Sequence, residues 1–188
     1  MTSASSFEDH SLDRFHERLA AIEPRVRALI SGLSPERLAT RPPGGGWSID
    51  EVFEHLCLTH TLYLDRTLPS VIAKARSRKP PSRPYVPSLL GGLLLSALRE
   101  DNGLRFPTIR SLNVDRKVRG GVIEAFLASL TQIESQMREA DGHDLGVSFH
   151  SPVMPIMPLR LGDAFAVLIE HSHRHLAQAE RVRAATGG

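Results

Sequence analysis

The sequence predicts an all-α protein, a four-helix bundle with a long crossover between its second and third helices, on three observations. Four stretches place apolar residues at alternating spacings of three and four, the period of one helix face. No stretch alternates apolar and polar residues strongly enough to build a sheet. A long basic and proline-containing segment separates the second stretch from the third, which reads as a crossover rather than a tight turn.

The first helix carries Leu12, Phe15, Leu19, Ile22, Val26, Leu29 and Leu33 on one face. Pro24 falls inside it and removes a backbone hydrogen bond, which predicts a kink or a late start. Ser34 followed by Pro35 is a cap and first-turn signal for a short piece through Leu38, and "RPPGGG" (41–46) ends it. Trp47 leads into "SIDEVFEHLCLTHTLYLDRTL", where Ser48 and Glu51 form a capping-box pattern, so the second helix starts at about Ile49. From Arg66 to Arg83 the composition turns basic and proline-containing, which predicts a loop. "SLLGGLLLSALRE" (88–100) predicts a short helix over one end of the bundle, although it contains Gly91 and Gly92. The third helix lies within 119–141, with Val122, Phe126, Leu130, Ile133, Met137 and Ala140 on one face and Gly142 just past its end. After "SPVMPIMP" comes the fourth, with Leu161, Ala164, Phe165, Leu168, Ser172, Leu176 and Ala179 in its stripe.

A chain of 188 residues suits one domain, 1–188, with a single core. It is 41% hydrophobic and 23% charged and holds no run of about 18 apolar residues, so no membrane association is expected. Met1 to Asp9 lacks the basic start and apolar middle of a secretory signal, and the single Cys57 cannot form an internal disulfide. Both point to the cytoplasm. The net charge of +2 says little about partners. Nucleic acid is not an expected partner, because the basic 66–83 segment has one nearby aromatic, Tyr85, and no recognised reading motif.

The stretch "HSHRHLAQ" (171–178) carries the chemistry. On a helix each residue advances by about 100°, so His171 and His175 lie about 40° apart and share a face at the margin of the apolar stripe. His173 points away, on the side of Glu170 and Glu180, and is expected to be solvated. Two imidazoles four residues apart can chelate one divalent cation, but a catalytic site generally takes a third protein ligand and keeps a position open. The second helix offers His55 and His60. His60 falls in mid-stripe with Val52, Phe53, Leu56 and Tyr63, where a histidine is more often a core residue; His55 lies on the flank beside Thr59 and Leu62. Periodicity alone slightly disfavours His55, although its flank is lined by apolar Leu58 and Leu62 and can also face inward.

"WSIDEVFEHL" (47–56) followed by "HSHRHLAQ" (171–178) resembles the DinB/YfiT-like superfamily. The resemblance implies a four-helix bundle with one metal-ligating histidine in helix two and a His-x-x-x-His pair, commonly followed by Gln, in the last helix. Carried over by position, the ligands are His55, His171 and His175, and the glutamine is Gln178, which can hydrogen-bond a ligand ring. The likeness runs from about Leu12 to Val182 and is weakest over the long variable connection, about 67–118. Three neutral imidazoles suit a divalent metal, zinc or nickel first.

What the resemblance implies about activity is a metal-dependent enzyme acting on a small-molecule substrate. The favoured reaction is thiol-S-transfer from a low-molecular-weight thiol such as bacillithiol or mycothiol to an electrophile. Lys74, Arg76 and Arg83 are candidates to hold the acidic part of such a cofactor. The alternatives are a metal-dependent hydrolase and a non-catalytic bundle whose metal is structural or absent. No recognised hydrolase motif supports the first alternative, since Ser172 stands where a His-Glu-x-x-His motif has its glutamate and there is no G-x-S-x-G elbow. Glu54 is expected to be exposed, and Cys57 to be a small core residue. A homodimer is expected, with the apolar 88–98 segment as a candidate contact.

Overall fold

The computed structural model describes residues 12–79, 85–99, 112–114 and 117–187. The first apolar stripe folds as two helices, α1 (Leu12–Ala20) and α2 (Ile22–Ile30), that break at Ala21. Pro24 accounts for the break. It occupies the first turn of α2, where no intrahelical partner awaits an N–H, whereas in one continuous helix its ring would meet the Ala20 carbonyl. Phe15, Leu19, Ile22, Val26 and Leu29 still share the buried face.

Ser34 caps α3 (Pro35–Leu38), accepting the Arg37 N–H at 3.4 Å. Past the left-handed glycines 44–46, α4 (Ile49–Leu64) opens as the capping-box pattern predicts, with the Ser48 N–H donating to Glu51 Oε2 at 2.9 Å. Helix α7 (Val122–Ala140) starts after Gly121 and stops before Gly142, both in left-handed backbone. Helix α8 (Leu161–Ala185) is the bundle's centre and packs against α1, α2, α4 and the crossover. The broken α1/α2 pair, α4, α7 and α8 are the four arms, and Phe53, Phe126, Ile133, Met137, Phe165 and Leu168 lie in their shared core.

The crossover between α4 and α7 contains more structure than its composition suggests. Within the stretch expected to be a loop lies α5 (Leu68–Arg76), whose Leu68, Val71, Ile72 and Ala75 are buried while Lys74 and Arg76 stay exposed. That spacing is a helical stripe, masked in the sequence by the basic and proline residues around it; Pro69 sits in the first turn, where it is tolerated. The short helix expected over one end is α6 (Leu89–Leu98), capped by Ser88, whose hydroxyl accepts the Gly91 N–H at 2.9 Å.

Asp163 joins α6 to α8. Fully buried, it accepts hydrogen bonds from the Tyr85 hydroxyl, from the Ser88 N–H (3.1 Å) and hydroxyl (2.6 Å), and from the Arg160 N–H (2.8 Å). Gly91 is required by that approach, because a Cβ there would lie 2.3 Å from the Asp163 carboxyl carbon. A sheet was not expected, yet β1 (Ser148–His150) and β2 (Pro158–Arg160) pair antiparallel with Phe149 opposite Leu159. Strands this short give no alternation to read. No described helix is long and apolar enough to cross a membrane.

Candidate metal centre

His55 projects from α4, and His171 and His175 project from α8, toward one another. One ligand nitrogen from each ring falls within 4.8 Å of the other two. Ring centroids are 5.2 Å apart for His55 and His171, 4.7 Å for His55 and His175, and 4.4 Å for His171 and His175. His55 is buried and the α8 pair is half-buried, so the cluster sits at the edge of the core.

Hydrogen bonds fix which nitrogens face inward. His55 Nδ1 lies 3.0 Å from the Leu112 carbonyl, which can only accept, so Nδ1 carries the proton and Nε2 the lone pair. His175 Nδ1 likewise donates to Gln178 Oε1 at 2.9 Å, leaving its Nε2 as a lone pair. The Nε2 atoms of His55 and His171 face each other at 3.3 Å, and a lone pair that close to a second ring nitrogen needs a proton or a cation between them. His171 Nδ1 is buried with no partner among the described residues. Outer acceptors that hold an imidazole by one nitrogen and aim the other inward are the usual surroundings of metal-ligating histidines.

Electrostatics favours neutral rings, the form a metal requires. Burial pushes all three pKa values down; for His175 the value reaches about 3, with the neighbouring His55 adding to the effect and Gln178 opposing it. His171 is lowered furthest by burial and then by His175 and His55. The donor set therefore fits a divalent cation: three neutral imidazoles, two of them aimed by protein acceptors.

Trp47 supplies a wall that the motif did not indicate. Its ring centroid lies 4.8 Å from that of His55 and 6.3 Å from that of His175. As the chain's single tryptophan, placed just before a helix that carries a ligand, it offered a signal of a kind. The Leu112 carbonyl offered none, since a backbone acceptor leaves no mark in sequence.

The other histidine of α4, His60, is the core residue that its mid-stripe position suggests. Its Nδ1 meets Ser129 Oγ at 2.6 Å and its Nε2 meets Ser172 Oγ at 3.2 Å, tying α4 to α7 and α8. Cys57 is also a core residue, its thiol pushed up to about 11 by burial and therefore not a ready nucleophile.

Two expectations are corrected. His173 is not solvated but buried, with Nε2 donating to the Arg18 carbonyl at 3.0 Å. The reason is that α8 is covered on that side by α1 and α2, whose Arg18 and Arg25 pair with Glu170 and Glu180. Glu54 is not exposed but buried against Arg119, which reaches it from the end of the crossover. Among the candidate basic anchors, Lys74 and Arg76 are exposed on α5, and Arg83 lies outside the described residues. Tyr85 is half-buried, with its hydroxyl on Asp163 and its ring against Gly162.

Comparison with known proteins bears on the family and the fold. A model of the DinB superfamily matches residues 18–179. A solved structure of YfiT from Bacillus subtilis, described as "a probable metal-dependent hydrolase with an unusual four-helix bundle topology", is similar to the chain with a TM-score of 0.51 and 17% identity. That match covers 100% of this chain and 94% of the other, and at this identity it speaks for the fold. No curated protein matches the chain.

Proposed function

The chain belongs to the DinB superfamily, and from that premise we propose that it is a metal-dependent enzyme in which His55, His171 and His175 hold one divalent cation, zinc or nickel. The observation that carries the reading is the convergence of three inward nitrogens within 4.8 Å, two of them fixed by hydrogen bonds to Leu112 and Gln178. When bound, the cation supplies Lewis acidity that lowers the pKa of a thiol or of water. The protein's own part is to keep the rings neutral and aimed, and Trp47 covers one side of the cluster.

The reaction proposed is transfer of a low-molecular-weight thiol, of the bacillithiol or mycothiol kind, to a small electrophile. What favours this over hydrolysis is the make-up of the cluster, which among the described residues contains histidines and no carboxylate. Glu54, the acid next to His55 in sequence, is turned away and held by Arg119. A thiol, whose ordinary pKa is about 8.5, needs much less help to ionise than water does, so a site without a carboxylate base suits the thiol better. The test is a conjugation assay of the metal-loaded chain with a panel of thiols and electrophiles. Conjugates formed by the wild type and not by His55→Ala support transfer. Hydrolysis of esters or amides without conjugation would favour the hydrolase reading, which is the activity described for YfiT.

A further inference from the structure

Two consecutive residues of α4, Glu54 and His55, hold two nearby points of the crossover, Arg119 and Leu112. His55 Nδ1 donates to the Leu112 carbonyl at 3.0 Å. Glu54 accepts from Arg119 three times over: from its backbone N–H at 3.1 Å, from Nε at 2.9 Å and from a terminal guanidinium nitrogen at 2.8 Å. Leu112 and Val114 are buried, and the Lys117 N–H donates to the Val114 carbonyl at 2.9 Å, which joins 117–119 to 112–114.

A backbone carbonyl has no rotamers by which to find its partner; it stands where the chain is pinned. The Arg119 contacts pin backbone and side chain together, because the N–H and the guanidinium fork share one carboxylate. A carboxylate this buried is costly unless paired, so its place beside a ligand calls for more than space filling.

We propose that Glu54 and Arg119 are positioning residues of the metal centre: by fixing Arg119 on α4, and through the Lys117–Val114 hydrogen bond the Leu112 backbone, they hold the Leu112 carbonyl on His55 Nδ1, which keeps the His55 lone pair on Nε2, facing His171. The inference rests on reading the three histidines as a metal site and extends that site outward by two further residues. Outer partners of ligand histidines set metal affinity, and their loss typically costs about 10-fold to 100-fold.

The full-length chain carries the test in Glu54→Gln, Arg119→Ala and Arg119→Lys variants, with Glu51→Gln as control. Glu51 is a similarly buried acid on the same helix, paired with Arg41 and one turn from His55. Zinc and nickel affinities come from competition titration, and nitrogen-15 spectra of the metal-free chain report the histidine ring protons. Wild type and control are expected to show a protected Nδ1–H on His55. In Glu54→Gln and Arg119→Ala that signal is lost and affinity falls about 10-fold or more, with Arg119→Lys in between. Combining the first two substitutions weakens binding no further than the stronger single effect, because both break one link. Folded variants that keep the ring signal and wild-type affinity would overturn the proposal. Should Arg119→Ala fail to fold, Glu54→Gln decides, since it keeps the side chain's volume and one acceptor for Arg119. A wild-type chain that binds neither metal would overturn the metal reading itself; the ring signal is read without metal and so tells the two failures apart.

Discussion

At the scale of single residues, what distinguishes the histidines of this chain is what their outer nitrogens touch. His175 leans on Gln178 and His55 on Leu112, while His60 spends both nitrogens on serines. Gln178→Ala is therefore expected to weaken zinc or nickel binding by about 10-fold without unfolding the chain, as isothermal titration would show. Trp47 lies beside two of the three rings, so nickel or cobalt at the site is expected to quench its emission, and His55→Ala to abolish the quenching. His60 sets a pH dependence. Burial holds its pKa at about 3 in the folded chain, against an ordinary value of 6.5. Below 6.5 the unfolded chain takes up a proton that the folded chain refuses, so this contribution is complete above 6.5 and is lost as pH falls toward 3, at about 1.4 kcal/mol per pH unit. The depressed values of His171 and His175 act in the same direction in metal-free protein. Urea midpoints of metal-free protein are expected to drop between about pH 7 and pH 5, and less steeply in His60→Gln; an unchanged slope would remove His60 from the account.

At the scale of elements, legibility followed burial. The stripes of α1, α2, α4, α7 and α8 each face one core, so their period could be read, and the capping-box residues Ser48 and Glu51 marked where α4 begins. Periodicity misled where a helix is covered on more than one side. His173 and Glu54 lie off the main stripes and look solvated on a helical wheel, but α1 and α2 cover the first and Arg119 the second. Helix α5 was hidden because its four apolar positions sit among residues that signal a loop. The site was half legible: the pair on α8 follows from spacing, whereas the choice of His55 over His60 needed the family resemblance. Packing of α6 on α8 gives a direct test. Gly91→Ala would drive a Cβ into Asp163 and is expected to cost about 2 kcal/mol or more by thermal or urea unfolding. Gly92→Ala on the same helix meets nothing within 4 Å and is expected to be neutral or to stabilise by about 0.5–1 kcal/mol, as helix propensity predicts. Equal effects would contradict the clamp.

At the scale of the molecule, the bundle brings the two ends of its sequence pattern together: a loop and helix near the start give Trp47 and His55, and the last helix closes the cluster. The crossover reaches that site through Leu112 on His55, and the end of α6 is tied to α8 by Arg174, which donates to the Ala97 carbonyl at 3.1 Å. On its outer side α6 leaves Leu89 82% and Leu93 62% exposed. If the homodimer expected from the sequence uses that face, Leu89→Glu with Leu93→Glu yields a monomer by light scattering while metal content is unchanged. The central claim, that three histidines form one metal site, is tested most directly by elemental analysis of the untagged wild-type chain beside His55→Ala and His171→Ala/His175→Ala. About one equivalent of divalent metal per chain, absent from both folded variants, is the result predicted by three ligands acting together. Wild-type protein that takes up no metal after incubation with zinc or nickel, or variants that retain it, would contradict the account.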